Sequence, residues 1–186
     1  MENCKEEWIH GNVMMSPRPQ FNHMEIEGAI FVELKKYFSN KCRVAIETSL
    51  FLTKENPNEI KSDLVKLKSL IKSKKLELVP DIAVYCDKEQ AFKRGFLGVP
   101  KLVVEVLSPS NADDDTEKKK EIYREYGVSE YWIVSPMTKT AFIYTLEESN
   151  YRLVGEYKFK EQPIVSSSFV DLAVNITDIE LIEEDE

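Results

Sequence analysis

Leu102-Val103-Val104-Glu105-Val106-Leu107 is an apolar run broken by a single carboxylate. Its length suits a buried strand and is too short for a membrane span. A buried carboxylate without a partner is expensive, far more so than any surface contact is favourable. Period-two alternation puts Glu105 on the face shared by Val103 and Leu107, so it does not simply turn to solvent. The position requires a cation, a hydrogen-bond donor or a retained proton.

Upstream, Val79 to Cys86 is a second short apolar run, in which Asp81 follows Pro80, and the turn-prone Asp87 to Gly98 segment joins the two runs. If the strands pair, Asp81 and Glu105 converge and offer hard oxygen ligands of the kind Mg2+ and Mn2+ prefer. A strand-start aspartate capping backbone donors is the competing account of Asp81. His10 and His23 are the only histidines, which rules out a histidine-rich zinc centre. Downstream, Asp113 to Tyr126 reads as a helix capped by Asn111 or Asp113 and ended by Gly127. Asp115, Lys119 and Tyr123 share one face of it at four-residue spacing. That face carries either a surface ion pair or, if it turns toward Asp81 and Glu105, an ammonium able to orient water or offset charge on a phosphoryl group.

Further out, Trp8 to Met15 reads as a hairpin centred on Gly11 and Asn12, and Phe21 to Phe38 as a helix with Met24, Ile26, Ile30 and Leu34 near helical spacing. His23 opens that helix, either packing there or reaching the same cleft; Glu25 and Glu27 read as solvated. Arg43 to Thr53 reads as one strand. Asn56 to Lys75 reads as one amphipathic helix on Ile60, Leu64, Leu67 and Ile71. Seven lysines between Lys54 and Lys75 face only Glu55, Glu59 and Asp63, giving a solvated face, a surface for DNA or another acidic partner, or a membrane-lying helix. Strands follow at Tyr131 to Val134, Thr140 to Tyr144 and Tyr151 to Tyr157, and residues 179–186 form an acidic tail. This order implies an α/β fold with a central mixed sheet in one domain, 1–186.

Composition narrows the function. With 186 residues, 42% of them apolar, the chain is long enough for one domain with a real core. No apolar run spans a bilayer and Met1 to His10 lacks a signal-peptide layout, so a cytoplasmic protein without membrane contact is expected. Cys4, Cys42 and Cys86 are odd in number and far apart, which points to reduced, buried thiols. The net charge of −8 argues against non-specific coating of nucleic acid while leaving room for a local basic groove. Gly-rich phosphate loops, Gly-x-Ser-x-Gly and Cys/His pairings are missing, which removes the common nucleotide-binding and acyl-transfer chemistries.

Val79-Pro80-Asp81-Ile82-Ala83-Val84, Gly98-Val99-Pro100-Lys101 with the Leu102 to Leu107 run and Ser108-Pro109-Ser110, then Asp115, Lys119 and Tyr123, then Gly127-Val128-Ser129-Glu130-Tyr131-Trp132-Ile133-Val134, closely resemble the Uma-type restriction endonuclease family. Gly11, Met15-Ser16-Pro17 and His23 extend the resemblance over nearly the whole chain. It implies the restriction-endonuclease-like PD-(D/E)XK fold, a central mixed sheet flanked by helices, with an N-terminal hairpin and the 56–75 helix as an insertion. By position, Asp81 is the aspartate of the Pro-Asp element and Glu105 the acid of the (D/E)XK element. Leu107 stands where that element carries lysine, which leaves Lys119 as the candidate replacement. The implied activity is Mg2+- or Mn2+-dependent endonucleolytic hydrolysis of DNA by a homodimer. In it Asp81, Glu105 and the Val106 carbonyl hold the ion, Lys119 positions the nucleophile, and His23, Asp115 and Tyr123 are accessory. The alternatives are a nuclease-fold module that binds protein or nucleic acid with little or no catalysis, and a structural domain in which a basic side chain simply satisfies Glu105.

Overall fold

The computed structural model describes residues 5–16, 19–108 and 114–183, without the side chains at 16, 114 and 115. Six strands build the central mixed sheet: β3 (Arg43–Ile46), β6 (Ile82–Tyr85), β9 (Leu102–Val106), β10 (Glu130–Ser135), β11 (Thr140–Glu147) and β12 (Asn150–Lys158), in the spatial order β12-β11-β10-β9-β6-β3. Within this sheet, among the described residues, only β9 and β10 run parallel, joined by a crossover through α4 (Asp114–Tyr126). The expected mixed α/β architecture is therefore present.

Alternation along β9 sorts its side chains between two cores. Leu102, Val104 and Val106 join Ile82, Val84 and Trp132 beneath α1 (Phe21–Phe38), whose Ile26, Ile30, Leu34 and Phe38 form the buried stripe. Val103 joins Ala83, Tyr131 and Ile133 on the other face, beneath Ile122 and Tyr123 of α4. Glu105 belongs to this second face.

Two small sheets flank the central one. β1 (Lys5–Ile9) pairs with β2 (Asn12–Ser16) and with β5 (Leu76–Glu77). The hairpin turns at His10-Gly11, one residue before the expected centre, because a type I′ two-residue loop needs positive φ at both positions and these adopt +50° and +81°. β4 (Leu50–Phe51), β7 (Ala91–Phe92) and β8 (Gly95–Leu97) form the other small sheet. The single strand expected over Arg43 to Thr53 is thus two. The chain breaks after β3, where Glu47 takes φ +41°, and β4 leaves for a different sheet.

The expected 56–75 helix is also two, α2 (Pro57–Ser62) and α3 (Leu64–Ser73). Asp63 is extended between them, and its carboxylate accepts from the amides of Val65 (2.9 Å) and Lys66 (3.1 Å), capping α3. The break removes Leu64 from the apolar stripe, leaving it 66% exposed, while Ile60 is buried and Leu67, Leu70 and Ile71 pack near Phe51 and Leu97. A short pair, β13 (Ile164–Val165) with β14 (Ala173–Val174), was not anticipated from the sequence.

Reduced cysteines were expected, but Cys42 and Cys86 form a disulfide. They lie one step beyond the Arg43↔Tyr85 pair of β3 and β6, so strand register brings together residues 44 apart in sequence. Among the described residues no helix is long and apolar enough to cross a membrane.

Candidate functional site

The β3–β6–β9 register assembles the site. β6 pairs with β9 through Ile82↔Val104 and with β3 through Ile46↔Ile82. One residue further along each strand puts Glu47, Asp81 and Glu105 in a row across the sheet end. Two hydrogen bonds hold the row: the Glu47 amide donates to the Asp81 carbonyl (2.9 Å), and the Val106 amide donates to Asp81 Oδ2 (2.7 Å). The sequence reading assigned the Val106 carbonyl to a metal; the group seen to engage Asp81 is the Val106 amide.

Cations reach this row from three directions. From β1, the Lys5 ammonium donates to Asp81 Oδ1 at 2.7 Å. From α1, His23 Nε2 lies 3.6 Å from the same oxygen. From α4, Lys119 bridges Glu105 Oε2 (3.3 Å) and Glu7 Oε2 (2.7 Å), while the Tyr123 hydroxyl donates to Glu105 Oε1 at 2.8 Å. Glu7, the next inward-facing residue of β1, also accepts from the Val79 amide (2.6 Å). The anomalous carboxylate of β9 is therefore met by both a cation and a donor, and the α4 face carrying Lys119 and Tyr123 turns inward. The Asp115 side chain lies outside the described residues.

The electrostatics are uneven. Burial would raise the Asp81 carboxyl, but Lys5 and His23 outweigh it and hold it well below the usual carboxylate range. Burial raises Glu105, Lys119 only partly offsetting it and Asp81 adding to it. Burial disfavours the charged forms of Lys5 and His23, yet the facing carboxylates leave both above their ordinary values.

Glu27 was read as solvated and is instead buried, at 4% exposure, whereas Glu25 is exposed as expected. Burial, then repulsion from Asp81 and Glu47, pushes the Glu27 carboxyl up to about 7. One oxygen each of Glu27, Glu47 and Asp81 lie within 4.8 Å of one another, a grouping able to hold a metal ion. Glu27 Oε1 is buried without a hydrogen bond, as are both ring nitrogens of His23. An oxygen-only set with an unsatisfied buried carboxylate fits a hard dication and does not fit a thiolate-type zinc site. A signal for Glu27 was available in the sequence: His23, Glu27, Ile30 and Leu34 follow i, i+4, i+7, i+11, which is the buried stripe. Lys5 and Glu7 had no comparable signal, because only docking of the hairpin brings them in.

Beside this centre, a cavity of about 320 Å³ is lined by His23, Leu107, Ser108, Pro136, Met137 and Ile182 among others. The Asn22 side chain pins its rim by pairing with both the amide and the carbonyl of Ile182 (2.8 and 2.7 Å).

The family model for Uma2, described as "Putative restriction endonuclease", matches residues 2–177. Among solved structures, one described as "a putative nuclease belonging to DUF820" from Anabaena variabilis ATCC 29413 superposes with a TM-score of 0.67. The superposition covers 93% of this chain and 88% of that one at 18% identity, so it speaks to the fold. No curated protein matches. Because the family model spans almost the whole chain, hairpin, acid row and α4 included, this chain belongs to the Uma2 restriction endonuclease family.

Proposed function

We propose that the chain is an endonuclease that hydrolyses DNA phosphodiester bonds with the help of Mg2+ or Mn2+. The observation that carries this is the convergence of Glu27, Glu47 and Asp81 around a buried carboxylate oxygen that has no hydrogen bond. Asp81, Glu27 and Glu47 would hold the ion, with Glu105 and the Val106 carbonyl adjoining from β9. When bound, the ion supplies Lewis acidity, offsetting phosphoryl charge and favouring deprotonated water.

The chain's own residues do the rest. Lys119 and Tyr123 fix the Glu105 carboxylate in one orientation. His23, on the wall of the cavity, adds positive charge there when protonated. The cavity offers the space in which a nucleotide sits next to the acid row. DNA as substrate and a homodimer as the working form are part of this proposal, and light scattering on the purified protein tests the dimer.

A second reading, a nuclease-fold module that binds without cutting, is favoured by Leu107 at the position of the motif lysine. Plasmid incubated with the protein and Mg2+ or Mn2+ separates the two. Nicking or linearisation that disappears in Asp81→Ala and Glu27→Ala is the expected result. Cleavage persisting in both variants would overturn the site, and DNA retention without any cleavage would favour the module.

A further inference from the structure

Resting on that reading, we propose that Lys5 of the N-terminal hairpin, and not Lys119, stands in for the lysine missing at position 107. In the metal-free chain it is the counter-ion of Asp81, and it yields that place to a dication and turns to the substrate phosphate.

The two lysines have different attachments. Lys119 sits on α4 with its side chain 6% exposed and bridges two buried carboxylates, Glu7 and Glu105. Withdrawing it would remove the ammonium paired with both, a cost that opposes any movement during a reaction. Lys5 makes one hydrogen bond, to Asp81 Oδ1, its side chain is 16% exposed, and it stands on the first residue of a strand in a small outer sheet.

The oxygens of Asp81 are also unequal. Oδ2 is taken by the Val106 amide, so Oδ1 is the one left for a ligand, and that is where Lys5 sits. An ammonium 2.7 Å from Oδ1 and a dication on the same oxygen repel each other, so binding of one displaces the other. The surroundings favour the exchange. Five carboxylates, Glu7, Glu27, Glu47, Asp81 and Glu105, face Lys5, Lys119 and, when protonated, His23, so the carboxylates outnumber the basic groups and further positive charge is accommodated. Once displaced, an ammonium on a flexible four-carbon stem is suited to contact a phosphate oxygen, the task for which a lysine at position 107 would serve.

The test is calorimetric titration of MnCl2 into wild type, Lys5→Met and Lys5→Gln, with plasmid cleavage measured at saturating Mn2+. Removing the competing ammonium is expected to tighten Mn2+ binding about tenfold while slowing cleavage about a hundredfold. A merely structural lysine produces no such opposed pair of changes. Lys5→Gln guards against a folding defect in Lys5→Met, and thermal melts of both report it. Mn2+ affinity unchanged or weakened in the folded variants overturns the displacement, and cleavage unchanged at saturating Mn2+ overturns the phosphate contact. If wild-type protein binds Mn2+ and cleaves while the variants match it, only the role of Lys5 falls. If wild type neither binds Mn2+ nor cleaves, the nuclease reading falls and the exchange with it.

Discussion

Glu130 and the Asp81–Glu105 row are buried carboxylates of the same sheet, satisfied in opposite ways. Glu130, with no exposed surface, accepts from Trp132 Nε1 (2.6 Å), Ser166 Oγ (3.0 Å), Ser167 Oγ (3.3 Å) and the Ser168 amide (2.8 Å). All four donors are neutral, and no cation is paired with it among the described residues. The acid row has Lys5, Lys119 and His23 around it and still leaves Glu27 Oε1 without a hydrogen bond. Where the fold needs only to bury an acid, one loop of serines and an indole do so completely. A centre ringed by basic side chains that still keeps an unsatisfied oxygen is arranged for something that arrives.

The comparison can be broken by removing a partner from each side. Lys119→Met removes the ammonium paired with Glu7 and Glu105 and is expected to destabilise by about 3–5 kcal/mol in urea unfolding. Ser166→Ala removes one neutral donor of several and is expected to cost only about 1 kcal/mol. Equal losses would show that the two sites are alike. In activity the contrast reverses: Asp81→Asn is expected to lower cleavage about a thousandfold, roughly 4 kcal/mol of barrier, whereas Glu130→Gln leaves the rate of the folded protein unchanged. A comparable fall in both variants would show that Asp81 acts through folding alone.

The Cys42–Cys86 bridge closes the far end of the strand pair whose near end carries Glu47 and Asp81. Its loss in the double serine variant is expected to cost about 2–4 kcal/mol. Mn2+ binding should survive where the protein remains folded, since the register of β3 and β6 does not depend on the bridge alone. A double variant as stable as wild type under non-reducing conditions would show that the bridge does not form.

A pH dependence separates Glu27 from its neighbours. The Glu27 carboxyl lies at about 7 when folded, above its ordinary value of 4.5, so the folded chain holds this proton more tightly than the unfolded chain. Its stabilisation is complete below the ordinary value and is lost as pH rises through about 7. The melting temperature of the metal-free Glu27→Gln variant should therefore gain on wild type between about pH 5 and pH 8. A constant difference across that window would mean that Glu27 is not the strained acid.

Much of this was legible because burial leaves a pattern. Glu105 declared itself by interrupting an apolar strand, Asp81 by opening another, and Lys119 and Tyr123 by four-residue spacing on one helical face. Phe21 to Phe38 is a helix with the expected ends because its apolar period is sustained. What failed depended on tertiary placement. The break at Asp63 follows from a cap that competes with an otherwise continuous helical pattern. The break after Ile46 follows from sheet membership, and the disulfide from register between strands 44 residues apart. Lys5 and Glu7 alternate on an ordinary amphipathic strand, and nothing local distinguishes them from surface charges until the hairpin docks on the end of β6 and β9.

Diffraction from a crystal soaked in Mn2+, read at the manganese absorption edge, tests the central claim most directly. An anomalous peak bound by Asp81 Oδ1 and Glu27, with the Lys5 ammonium moved away from Asp81, is the predicted result. Lys5 still paired with Asp81 and no manganese at the acid row would contradict it.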